Sequence, residues 1–136
     1  MVQMKATDIM INDWVYLSKA TKYPMRVTSI DENNCYLDFE GNEGDPFDGI
    51  YGEDGIAPIP LTEEILKLNG WDKYPFQGYL SNKKLIEFCL RNDGIGFYCS
   101  NENGENDIVN IHYVHELQHL LRVFGYGDLA DDFKIE

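Results

Sequence analysis

Between Asp13 and Phe39, segments rich in β-branched and aromatic residues last six residues at most and alternate with turn residues. That rhythm admits short antiparallel strands and little else. Trp14-Val15-Tyr16-Leu17 reads as the first strand and Met25-Arg26-Val27-Thr28-Ser29-Ile30 as the second, with Met25, Val27 and Ser29 on one face. The turn Asp31-Glu32-Asn33-Asn34 then leads into Cys35-Tyr36-Leu37-Asp38-Phe39, where Cys35, Leu37 and Phe39 share a face. This is an antiparallel β-meander, and a later strand, Ile56-Ala57-Pro58-Ile59, is placed to close it in the manner of a small SH3-like barrel.

Residues 40–55 separate that last strand from the others. They carry Glu40, Glu43, Asp45, Asp48, Glu53 and Asp54 with five glycines and no base, so they are expected to form an acidic, glycine-rich loop. A calcium loop does not fit. Started at Asp38, the EF-hand pattern puts Glu43 where the sharp turn needs Gly and Gly49 where the bidentate Glu belongs.

A helix follows with both ends written in. Thr62 can cap it, Glu63 and Glu64 suit the positive end of its dipole, and Gly70 supplies a left-handed stop before Trp71. The aromatic stretch Trp71, Tyr74, Phe76 and Tyr79 comes next and supplies candidate binding-surface residues, against the alternative of a satellite core. Residues 85–91, 96–101 and 107–111 read as three strands, joined by hairpin turns at Asn92-Asp93-Gly94 and Asn103-Gly104. The closing helix, 113–124, ends at Gly125; Tyr113, Leu117, Leu120, Leu121 and Phe124 form its apolar face, opposite His115, Gln118, His119 and Arg122. The expected fold is therefore α+β: a β-meander lobe over 1–60, an α-β-β-β-α lobe over 61–136, and the two packed as one compact unit.

Composition narrows the function classes. Eleven Lys+Arg against twenty-four Asp+Glu give a net charge of −13, and the longest basic run is Lys83-Lys84, so direct nucleic-acid binding is disfavoured. The opening residues lack the apolar core of a secretory signal, and no apolar run reaches the length of a membrane span, which points to a cytoplasmic protein without a membrane partner. Cys35, Cys89 and Cys99 are odd in number and show no C-x-x-C spacing, so neither a disulfide framework nor a thiolate zinc site is expected.

One motif carries chemistry. In His115-Glu116-Leu117-Gln118-His119 the two histidines lie one helical turn apart and could present imidazoles to one zinc ion, with Glu116 as the base for a bound water. This is the minimal zinc-metallopeptidase signature. A third ligand is wanting, because the extended form of the motif meets Arg122 and Gly125 where it needs Gly and His. The remaining donors are Asp128, Asp131, Asp132 and Glu136 in the short tail, or His112. The motif is therefore expected to be accidental, with both histidines on a solvated helix face.

Asn12-Asp13-Trp14-Val15-Tyr16, the strand at Arg26 to Ile30, Ala57 to Leu66 with Asn69-Gly70-Trp71, and Tyr113-Val114-His115-Glu116-Leu117-Gln118 together resemble a group of uncharacterised small proteins. These are encoded by gut-anaerobe genomes and their phages and mobile elements. The likeness runs through most of the chain in the same order, and its motifs are structural. In that group the position matching Glu116 is frequently Gln, and the one matching His119 is not restricted to His. The resemblance thus implies no catalytic residue, no metal and no cofactor. The expected role is a non-enzymatic binding or adaptor protein acting on a protein partner. Two alternatives are a zinc metallopeptidase using His115, His119 and Glu116, and an acidic DNA mimic that inhibits a nucleic-acid enzyme.

Overall fold

The computed structural model describes residues 4–39, 46–73, 79–82, 84, 88–92, 97–101 and 107–135. They form an α+β protein with two antiparallel sheets, as the strand and helix signals imply. The chain divides into two units, one of Met1–Ile59 with Tyr113–Phe133 and one of Pro60–His112 with Lys134–Glu136. The first stretch of the first unit ends at Ile59. The closing helix, however, groups with the N-terminal sheet and not with the strands that precede it.

In the first unit, β1 (Trp14–Tyr16), β2 (Pro24–Ile30), β3 (Asn34–Asp38), β4 (Phe47–Ile50) and β5 (Ala57–Pro58) make a sheet of order β4-β3-β2-β1-β5 that curls into a half-barrel. Alternation puts Val15, Met25, Val27, Cys35 and Leu37 on the inner face, where they are buried with Met4, Ile9 and Ile56. Burying each of the larger of these side chains stabilises the fold by roughly 1.5–3 kcal/mol. A register shift between Val27 and Ser29 corrects the expected face of β2: beyond it Ile30, opposite Cys35, packs on the core. One extra residue reverses the alternation.

The segment expected to be loop throughout 40–55 also differs. Residues 40–45 lie outside the described part, but Phe47–Ile50 is a strand paired with β3, Cys35 facing Gly49 and Leu37 facing Phe47. Gly49 makes this pairing possible. A Cβ there would sit 2.7 Å from Cys35 Sγ and 2.9 Å from Leu37 Cδ1. The chain then doubles back so tightly that a Cβ on Gly55 would fall 1.9 Å from the Ile50 carbonyl oxygen, which accepts from the Ile56 N–H at 2.8 Å. Close approach of backbone, more than acidic composition, decides the structure here.

In the second unit, α1 (Glu63–Leu68) is capped as its sequence implies: Thr62 Oγ1 accepts from the Ile65 N–H at 3.2 Å, and Gly70 takes φ +89°. The strands β6 (Trp71–Lys73), β7 (Tyr79–Asn82), β8 (Phe88–Asn92), β9 (Phe97–Asn101) and β10 (Asp107–Ile111) form one sheet in sequence order. The three expected strands are present as β8, β9 and β10, and β6 and β7, drawn from the ends of the aromatic stretch, extend the same sheet. Trp71, expected as a surface candidate, is 1% exposed and belongs to the core. Tyr74, Phe76 and the side chain of Tyr79 lie outside the described residues, as do the two hairpin turns after Asn92 and Asn101. Asn82 joins α1 to the sheet: its amide nitrogen donates to the Asn69 carbonyl at 3.0 Å.

The first unit is completed by α2 (Val114–Val123) and α3 (Gly127–Asp131), which pack on each other, with α2 also against β1. The short tail after α2 thus contains a helix. Among the described residues no helix is long and apolar enough to cross a membrane.

Candidate functional site

The chain turns sharply just before β1. Asn12 takes φ +76°, a conformation that its short amide side chain tolerates. Its N–H donates to the Val27 carbonyl at 2.8 Å, while the Asp13 carbonyl accepts from the Val27 N–H at 2.9 Å. Asp13 Oδ2 accepts from the Met10 N–H at 2.8 Å. This turn aims the Asn12 carbonyl and the Asp13 carboxylate, which is fully buried, at the polar side of α2.

Three residues of α2 meet them. Gln118, also fully buried, accepts from the Trp14 N–H through Oε1 and donates through Nε2 to the carbonyls of Asn12 and Ala130, each at 2.9 Å. One side chain thus ties β1, α2 and α3. His119 Nε2 lies 2.5 Å from Asp13 Oδ2, and Arg122 donates from Nη1 to Asp13 Oδ1 at 2.6 Å. A buried carboxylate so placed needs such partners, since an unpaired charge there would be costly. Trp14 Nε1 and Arg26 both donate to the Phe133 carbonyl, at 2.7 and 3.3 Å, and the Arg26 guanidinium stacks 4.8 Å from the Trp14 ring centroid.

This geometry corrects the expectation of a solvated histidine face. His115 is only 7% exposed and His119 29%, because the 10–14 turn and α3 cover the side of the helix that the apolar pattern leaves polar. The His115 ring lies between Tyr113, stacked at 6.0 Å, and His119, edge-on at 5.5 Å. Its Nδ1 is buried without a hydrogen-bond partner. Burial pushes the His115 pKa down from its ordinary value; the Asp13 carboxylate pulls it back up, and neighbouring His119 lowers it further.

Two of the motif's three chemical residues have other occupations. His119 is engaged by Asp13, and Glu116 Oε1 accepts from the Tyr113 N–H at 3.0 Å, the return half of a capping box at the start of α2. Arg122 brings a positive charge to the carboxylate that would otherwise be the nearest further donor. Among the described residues no group of three or more His, Cys, Asp or Glu is gathered as a metal would require. Cys35 is a buried free thiol, its pKa raised to about 11 by desolvation, and the side chains of Cys89 and Cys99 lie outside the described part.

Sequence reasoning misses Asp13 and Gln118. Asn12-Asp13 before an aromatic strand signals a turn, but nothing local says that its carboxylate meets a helix 106 residues later. Elsewhere in the unit the exposed rings of Tyr23 and Phe47 flank the partly buried Phe39 in a row, with centroids 5.7 and 5.9 Å apart. Comparison with known proteins returns no match to any family model, curated protein or solved structure.

Proposed function

We propose that the chain is a non-enzymatic binding or adaptor protein, cytoplasmic and of phage or mobile-element origin, acting through contacts with another protein. The observation that carries this reading is the ring row in which Tyr23 and Phe47 are half-exposed on either side of the partly buried Phe39, since rings left open to water mark binding surfaces. The employment of His119, Glu116 and Arg122 in internal bonds supports it, and the resemblance described above is what suggests the origin. The atoms that the zinc-peptidase alternative would use include His119 Nε2 and Glu116 Oε1, which here meet Asp13 Oδ2 and the Tyr113 N–H.

Cross-linking in intact host cells, followed by purification and stoichiometry, tests the proposal together with turnover assays on peptide, ester and phosphate substrates. One discrete protein partner and no turnover are expected. Turnover that disappears in Glu116→Gln would replace the adaptor with an enzyme.

A further inference from the structure

The methionines of the first unit divide between its inside and its surface. Met4 and Met25 are each 1% exposed and belong to the core, whereas Met10 is 43% exposed. Met1 lies outside the described residues. Met10 stands in the sharp turn before β1 and is tied to the polar side of α2. Its N–H donates to Asp13 Oδ2 at 2.8 Å, and its Sδ accepts from Arg122 Nη1 at 3.6 Å. The same Nη1 donates to Asp13 Oδ1 at 2.6 Å. Met10, Asp13 and Arg122 therefore close a ring of contacts, in which the N–H···S contact is the weakest because a thioether is a poor acceptor.

An oxidant reaches an exposed thioether far more readily than a buried one, and what surrounds the sulfur decides what the product costs. A sulfoxide at Met4 or Met25 would put a strong dipole among Ile9, Val15, Val27 and Leu37, side chains that offer it no hydrogen bond. At Met10 a donor is already in place. Nη1 of a guanidinium carries two N–H groups, and here one serves Asp13 while the other meets the sulfur. A sulfoxide oxygen accepting at the ordinary distance of about 2.9 Å, bent at the oxygen, leaves the sulfur close to its present place. A weak acceptor is exchanged for a strong, charge-assisted one, and Asp13 loses nothing. Cys35 does not compete for the oxidant, because it is buried and its pKa, pushed up to about 11, leaves almost no thiolate.

We infer that Met10 is a site of reversible oxidation, its sulfoxide oxygen taking over the Arg122 N–H that the thioether now accepts. In the forward step a lone pair of Sδ attacks one oxygen of hydrogen peroxide. The O–O bond breaks, the S–O bond forms, and after proton transfer the other oxygen leaves as water; sulfur gives up an electron pair and the peroxide takes it. The return step requires a methionine sulfoxide reductase with a thiol donor, which ends as a disulfide and water. The oxidised chain stays folded and carries a polar group where an apolar side chain stood, beside the 54% exposed Ile11. No partner protein is required, so the site stands or falls apart from the adaptor role.

Treatment of the full chain with hydrogen peroxide, followed over time by peptide mapping in a mass spectrometer, tests the site. Met10 should gain one oxygen at least about tenfold faster than Met4 and Met25, and methionine sulfoxide reductases with dithiothreitol should remove it. Oxidation should shift the Arg122 guanidinium NMR resonances and slow their N–H exchange with water, and neither change should occur in peroxide-treated Met10→Leu. The melting temperature of wild type should fall no further on treatment than that of Met10→Leu. Oxidation of Met4 or Met25 as fast as Met10, Arg122 resonances unmoved by oxidation, or a larger fall in melting temperature in wild type would overturn the inference.

Discussion

Asp13 and Gln118 show how much of a small protein's stability can rest on single polar side chains. Asp13 pairs with Arg122 and hydrogen-bonds His119 from a fully buried position, so Asp13→Asn leaves Arg122 short of its counter-charge, and the expected loss is about 3 kcal/mol in urea unfolding. Gln118→Ala strands two carbonyls and one N–H that the amide now satisfies, and should lose about 2–4 kcal/mol by the same measurement. Values within error of wild type would mean that these bonds are not holding α2 on the sheet. His115 sets a pH dependence. Its native pKa lies below the ordinary 6.5, so the unfolded chain takes up the proton first. The stability this imidazole confers is complete above about 6.5 and declines as the pH falls towards the depressed native value. Between about pH 7.5 and 5.5, wild type should therefore lose more stability than His115→Leu; equal losses would contradict the buried, neutral ring.

At the level of elements, local chemistry and close approach make separate predictions. Thr62→Ala removes the side-chain acceptor at the start of α1 and should cost about 1 kcal/mol. Gly49→Ala must push aside Cys35 Sγ and Leu37 Cδ1 inside the half-barrel, with an expected cost of about 1–3 kcal/mol in unfolding free energy; an unchanged midpoint would show that β4 does not press on β3 as described. The same contrast explains what could be read from the chain. The first meander, α1 with its Thr62 cap and Gly70 stop, and the span of α2 follow from periodicity and turn chemistry, which act within a few residues. The reach of β4 into an acidic segment, the bulge in β2, the burial of Trp71 and the helix at Gly127–Asp131 do not, because each is settled by a partner distant in sequence. The candidate site divides in the same way. The histidine pair is legible as a pattern, whereas its covering by Asp13 is a property of the fold.

For the molecule as a whole, the polar side of α2 is turned inwards, onto the Asp13 turn and α3. Of the residues from His115 to His119, Glu116 serves the start of α2, Gln118 ties β1, α2 and α3, and His119 meets Asp13. The most direct test of this division is the zinc content of untagged protein, with thermal unfolding recorded before and after treatment with EDTA. The expected result is far less than one equivalent of zinc and an unchanged melting temperature; about one equivalent, with a melting temperature lowered by EDTA, would contradict the account.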